Sequence, residues 1–255
     1  MISRYNVWMN DISLTEIDPA IYIADISYQA AKPSRSANRL AMADGQHSYG
    51  QDYFEESKTT VYFAVREYNT NKRQRIVQDI VTWAMNGGWL KTSDRIGQRI
   101  YVHTSQFPSV ASALQWTDNL SVEFTAYDYP FWQDETANTI DLNSGDEGDL
   151  FVPGVRKTVV EAVIVPSEPM TGFAIECGDT FMGFSDLSIP ADQPIKITYT
   201  DDHHILTIES NGESLLSNRT TDSDDDLALE PGMGYVYFDA ETAAVCTLSV
   251  RGVYL

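Results

Sequence analysis

Residues 71 to 89 read NKRQRIVQDIVTWAMNGGW, and this stretch decides the fold. Ile76, Ile80, Trp83 and Ala84 fall at i, i+4, i+7 and i+8, and Val77 and Val81 widen the same stripe, so a helix with one buried face is predicted. Gly87 and Gly88 can take the left-handed backbone that ends helices, and Asn71 offers a side-chain oxygen at the start. Nearly everything else in the chain alternates with period two. A lone helix in a β-rich chain needs a sheet to cover, which places it on a sheet face in the first half. Lys72, Arg73 and Arg75 stand in its first turn, where the helix dipole already concentrates positive charge. They are either a solvated basic turn or part of a subunit contact that faces acidic groups.

Outside that stretch, charge is the strongest constraint. The formal net charge of the 255 residues is −20. Residues 1–136 carry 12 basic and 16 acidic side chains, whereas residues 137–255 carry 5 and 21. Nucleic-acid binding rests on Lys and Arg displacing counterions, so so acidic a second half argues against DNA or RNA as a bound ligand. An apolar content of 43% excludes wholesale disorder. At about 150 residues per domain, the length favours two domains.

No apolar run approaches the roughly 20 residues needed to cross a bilayer. Met1 to Asp18 has neither a basic start nor an apolar signal-peptide core, so a soluble chain that no signal peptide exports is expected. Cys177 and Cys246 share strand parity with apolar neighbours and read as buried core thiols rather than a disulfide framework.

Along the chain, Tyr5, Val7 and Met9 alternate up to Asn10-Asp11, and Ile12 and Leu14 resume the pattern, which predicts an opening hairpin. A strand from Ile21 to Tyr28 precedes a long stretch without sustained periodicity that carries Tyr49, Tyr53 and Phe54. Loops this long inside domains are uncommon, and the interspersed aromatics favour an arm that orders against a neighbouring subunit. TTVYFAVRE, from Thr59 to Glu67, is the clearest strand of the first half. Two short strands flank Asp94 to Gly97, and Ala113 to Phe124 is a hairpin candidate. Tyr129-Pro130-Phe131-Trp132 closes the first domain. NSGDEGD, residues 143–149, resembles a linker. From Thr158 onward, short strands separated by turn residues mark a sandwich or jelly roll, with Asn211-Gly212 as the strongest hairpin turn.

Motifs for chemistry are thin. Asp222, Asp224 and Asp226 mimic the first calcium-loop ligands, but Leu227 stands at the sharp-turn glycine and Met233 at the closing glutamate, so an acidic solvated loop is expected. His203 and His204 point to opposite faces and read as exposed turn histidines. His47 and His103 have no carboxylate or cysteine at metal spacing. No nucleophile elbow or phosphate-binding loop occurs, and acids such as Glu55-Glu56 are too generic for glycosidase chemistry.

The opening hairpin, the strand to Tyr28, the long loop with Asp44-Gly45, TTVYFAVRE, the helix ending in Gly87-Gly88-Trp89-Leu90, and LSVEFTAYDYPFW together resemble the amino-terminal domain of the distal tail (Dit) proteins of siphophages. LEPGMGYVYFD, residues 229–239, is similar to the L-x-P-G turn and strand of that family's galectin-like carboxy-terminal domain. The resemblance implies a mainly β fold. Residues 1–136 would form a β-sandwich-like ring domain with one α-helix, and residues 137–255 a galectin-like or jelly-roll β-sandwich. It implies a non-enzymatic virion protein at the tail tip, made in the host cytoplasm. This protein would form a homo-hexameric ring that joins the tail tube protein to a tail-associated lysin, adhesin or receptor-binding protein. DNA would pass through the ring without specific binding, and neither a cofactor, a metal nor a membrane would be involved. Lys72, Arg73, Arg75, Tyr49, Tyr53 and Phe54 are the expected subunit-contact residues. The alternatives are a carbohydrate-binding module or glycan-active enzyme on the second sandwich, and another tail component such as a tube protein. All five tryptophans, Trp8, Trp83, Trp89, Trp116 and Trp132, lie in the first half, which disfavours sugar stacking in the second.

Overall fold

The computed structural model describes residues 5–34, 37–38, 47–48, 53–108, 120–202 and 204–255. The chain divides into two compact units, Met1–Trp132 with Leu255, and Gln133–Tyr254. The fold is mainly β, as the period-two patterning predicts.

In the first unit, β1 (Val7–Met9) and β2 (Ile12–Ser13) form the opening hairpin, with Asn10 and Asp11 both at positive φ in the turn. Leu14 does not continue the strand as its parity suggests. It starts a one-turn helix, α1 (Leu14–Ile17), because Ser13 and Glu16 form a capping box: the Ser13 hydroxyl accepts from the Thr15 amide, and Glu16 accepts from the Ser13 amide. The described residues therefore hold two α-helices where periodicity shows one.

β3 (Ile21–Gln29) runs antiparallel to β8 (Ser57–Val65). Between them lie the short strands β4 (Pro33–Ser34), β5 (Ala37–Asn38), β6 (His47–Ser48) and β7 (Tyr53–Phe54). Gln29 is opposite Lys58, and four residues further along each strand Pro33 is opposite Phe54. Ala37 and Asn38 then pair with Ser48 and His47. The stretch read as an aperiodic loop is thus, where described, a continuation of the β3/β8 hairpin. Backbone pairing by itself requires no side-chain alternation, so the sequence hides it.

α2 (Thr70–Ala84) follows β8. Its cap is Asn69 and not Asn71: the Asn69 side chain accepts from the amides of Asn71 and Lys72. Ile76, Val77 and Ile80 are at most 2% exposed, and full burial of each contributes about 1.5–3 kcal/mol. The Trp83 ring meets Phe124 edge-on, and its indole N–H donates to the Ile12 carbonyl. Gly87, at φ +63, lies so close to Val102 that a Cβ there would sit 2.3 Å from the Val102 carbonyl oxygen. The helix end is therefore tied to a strand that follows it.

β9 (Gly88–Thr92), β10 (Gln98–Gln106) and β11 (Leu120–Ala126) complete the order β2-β1-β9-β10-β11-β8-β3. The first part of β10 pairs with β9, from Ile100 to Val102, and the later part with β11, from His103 to Gln106, with an irregularity after Thr104. One strand thus serves two sub-sheets in succession, giving the sandwich-like character. The hairpin candidate from Ala113 lies outside the described residues up to Asn119. The chain leaves the first unit within β12 (Trp132–Asp134).

In the second unit, β13 (Asn138–Asn143) and β14 (Asp146–Val152) take up most of the stretch that reads as a linker, leaving only Ser144 and Gly145 between them. It is instead a corner between sheets. The Ser144 amide donates to the Ala244 carbonyl and the Gly145 amide to that of Phe238, so the chain changes sheet within one residue. Gly145 has φ +86. There follow β15 (Thr158–Pro166), β16 (Phe173–Cys177), β17 (Thr180–Phe184), β18 (Ile195–Tyr199), β19 (Leu206–Ser210), β20 (Glu213–Ser214), β21 (Ala228–Leu229), β22 (Gly232–Ala240), β23 (Ala244–Val250) and β24 (Val253–Tyr254). One sheet has the order β13-β23-β15-β18-β19-β20, with β21 beside β15, and the other β14-β22-β16-β17. Ile164, Ile197 and Leu248 from the first share a core with Ile175, Val236 and Phe238 from the second. Asn211 and Gly212 take positive φ in the β19/β20 turn, as their pairing predicts.

Candidate interaction surfaces

The basic start of α2 is bound into its own unit. Lys72 pairs with Glu67 at 2.8 Å; hydrogen bonding to Lys72 draws the Glu67 carboxyl below its usual range and raises the Lys72 ammonium. Arg73 is 6% exposed, and one of its guanidinium nitrogens donates to the Glu67 carbonyl at 3.0 Å. Arg75 is exposed. Phe54 meets Phe131 edge-on at 5.2 Å. Tyr53 is described only as a paired backbone position in β7, and Tyr49 lies outside the described residues.

The residues that the sequence did not bring together form an aromatic ladder across β9, β10 and the residue after β11. The Arg99 guanidinium lies 3.8 Å over the Trp89 ring, Trp89 meets Tyr101 at 5.4 Å, Tyr101 meets His103 at 5.7 Å, and His103 meets Tyr127 at 6.0 Å. Arg99, Tyr101 and His103 share strand parity opposite to buried Ile100 and Val102, which is the signal that could have found them. A second cluster binds the turn after β9 to β3: Tyr28 donates to Asp94 at 2.6 Å, and Arg95 lies within 5 Å of both the Tyr28 and Trp132 ring centres. Burial, then the Asp94 bond, raises the Tyr28 pKa.

In the second unit the acidic run covers a sheet edge. Asp224 bonds both backbone groups of Phe181, the Ser223 hydroxyl accepts from the Gly183 amide, and the Thr220 amide donates to the Gly183 carbonyl. The free edge of β17 is thereby satisfied by residues 220–224. Asp226 accepts from the Tyr199 hydroxyl at 3.1 Å, and no group of three metal-binding side chains occurs among the described residues.

His204 corrects its reading as an exposed turn histidine. It is partly buried at φ +52, stacked on Tyr199 at 5.0 Å, and burial depresses its pKa to about 4. His203 lies outside the described residues. Cys177 and Cys246 are buried free thiols as their parity predicts, and burial pushes the Cys177 thiol up to about 12.

The outward positions of β14-β22-β16-β17 form rows. Glu147 is opposite Tyr237, Tyr237 opposite Glu176, and Glu176 opposite Phe181. In the next rows Asp149 is opposite Tyr235, and Phe151 opposite Met233. The Tyr235 hydroxyl donates to Glu147 at 3.1 Å. Next to Met233 and Tyr235, Lys157, Asp179, Glu230 and Pro231 line a shallow depression. Leu229 lies under Gly234 of β22, where a Cβ would sit 2.8 Å from the end of the Leu229 side chain.

No protein-family model and no curated protein matches the chain. Among solved structures it is similar to the phage SPP1 Dit (gp 19.1) protein, a hub of the adsorption apparatus in phages that infect Gram-positive bacteria. That match has a TM-score of 0.70 at 12% identity and covers 97% of this chain and 98% of the other. It is also similar to chains of the phage P2 baseplate in its activated conformation, with calcium (TM-score 0.55) and with strontium (0.54), each at 9% identity and 98% coverage of both chains. The fold is that of a baseplate hub protein of phage tails. More particularly, it is the fold of a Dit protein over nearly its whole length.

Proposed function

We propose that this chain is a structural subunit of a phage tail tip, closing into a homo-hexameric ring that links the tail tube protein to a tail-associated lysin, adhesin or receptor-binding protein. The observation that carries this reading is the end-to-end fold likeness to the SPP1 Dit hub, which spans both units. Residues 1–136 form the ring. Their long hairpin between β3 and β8, the aromatic ladder from Arg99 to Tyr127 and the exposed Arg75 are the groups available for a head-to-tail contact. Residues 137–255 form a galectin-like sandwich; their excess of acidic over basic side chains, 21 against 5, disfavours dense packing around an axis and DNA adhesion alike. DNA passes through the ring without specific binding, the role involves no catalysis, cofactor or membrane, and the site of action is the virion tail tip.

Light scattering on the full chain tests this. Six subunits of 28.6 kDa give a mass of about 172 kDa. A chain that stays monomeric at every concentration, and remains so with tail tube protein added, counts against the reading.

A further inference from the structure

The outer face of the four-stranded sheet in the second unit has an apolar and aromatic centre whose own strands carry carboxylates as their only charged side chains, with Lys157 at the rim beside Met233. Tyr237 lies between Glu147 and Glu176 in one straight row, and Tyr235 lies beside Asp149. Asp239 ends the same parity on β22. With neighbouring strands about 4.8 Å apart, the two glutamates of the central row stand about 10 Å apart across the ring. At the far end Met233 is 65% exposed, Phe151 53% and Tyr235 43%. Apolar side chains this exposed, side by side across paired strands, are not held by the sandwich core. At the other end Gly183 is buried, and a Cβ there would sit 2.9 Å from the Thr220 hydroxyl and within 3.1 Å of the Phe181 ring, so residues of the edge cover close this end of the face. None of the four strands contains a Lys, Arg or His.

We propose that this face binds a Lys- or Arg-rich extended segment of a partner protein, with cationic heads over Tyr235 and Tyr237 between the carboxylates and apolar side chains on Met233 and Phe151. Charge complementarity selects this occupant. A guanidinium over a tyrosine ring gains from the ring's negative face and from the carboxylates on either side at once. A neutral sugar would have to desolvate those carboxylates with no cation in return. An acidic partner would be repelled by all four. This goes beyond the hub reading and does not depend on ring closure, since the face belongs to one chain.

The test uses the full chain labelled with 13C at its methionine methyls, which remain observable in a particle the size of a ring. Met233 reports on the face, and the fully buried Met170 and Met182 report on the fold of the same sandwich. A hexa-arginine amide peptide is the probe, with a neutral maltohexaose arm beside it. The expected result is a saturable shift of the Met233 methyl by the peptide, with Met170 and Met182 unmoved. Glu147→Gln with Glu176→Gln should weaken binding at least tenfold, as should Tyr237→Ala, while Asp222→Asn with Asp225→Asn, in the acidic run, should change it less than twofold. An unmoved Met233, equal weakening by the two acidic pairs, or a response to maltohexaose alone would overturn the proposal.

Discussion

Asp224 holds Phe181 by both backbone groups: its carboxylate accepts the Phe181 amide hydrogen at 2.8 Å, and its own amide donates to the Phe181 carbonyl at 2.8 Å. A side chain and a main-chain group of one residue thus stand in for the missing neighbour strand at the edge of β17. Edge strands with unpaired amides invite pairing with other chains, and an anionic cover repels them as well as satisfying the amide. Asp224→Ala should lower stability by about 1 kcal/mol and raise the aggregation rate on refolding. Urea denaturation and turbidity check this, and an unchanged midpoint together with unchanged turbidity would count against the edge-cover role.

The same geometry bears on calcium. Asp224 and Asp226 are turned towards Phe181 and Tyr199, so the run cannot present a ligand cage without giving up those bonds. Titration calorimetry with calcium should show no stoichiometric, submicromolar binding. A tight isotherm that Asp224→Ala abolishes would contradict the structural assignment.

His204 gives a pH signature. Its pKa in the fold is about 4, below the usual 6.5, because burial against Tyr199 disfavours the imidazolium. The unfolded chain therefore binds the proton first as pH falls. The stability of the second unit should be highest above about pH 6.5 and decline towards pH 4 by roughly 2 kcal/mol. His204→Asn tolerates the positive φ and should flatten that slope, as followed by far-UV circular dichroism in urea at pH 7 and pH 4.5. An equal slope in the variant would assign the dependence to other groups.

The stretch from Lys32 to Ser57 should exchange its amide hydrogens quickly in monomer and slowly in ring. Its described pairs, such as Pro33 with Phe54 and Ala37 with Ser48, form narrow two-stranded ribbons, and isolated ribbons are marginally stable in water. Mass spectrometry of both states decides, and equal protection in the two would remove the arm from the subunit contact.

Fragments 1–136 and 137–255 should behave differently. The first is expected to associate, at high concentration if not at low, and the second to remain monomeric in light scattering. A multimeric second fragment beside a monomeric first would reverse the proposed division of roles.

Local patterning determined much of this protein. The stripe of Ile76, Ile80 and Ala84 specified α2, because a 3.6-residue period leaves only one buried face. Asn10-Asp11 and Asn211-Gly212 specified hairpins, because few residues accept positive φ. The ordered set of motifs specified a Dit-like fold. Tertiary structure alone decided the rest. Ser144-Gly145 became a corner rather than a linker because Ala244 and Phe238, about a hundred positions away along the chain, receive their amides. The acidic run became an edge cover through Phe181, and His204 became a partly buried ring stacked on Tyr199. For the corner and the edge cover the deciding partner is remote in sequence. Composition and period report only which face a residue turns to, whereas a hydrogen bond or a stacked ring depends on which strand is brought alongside.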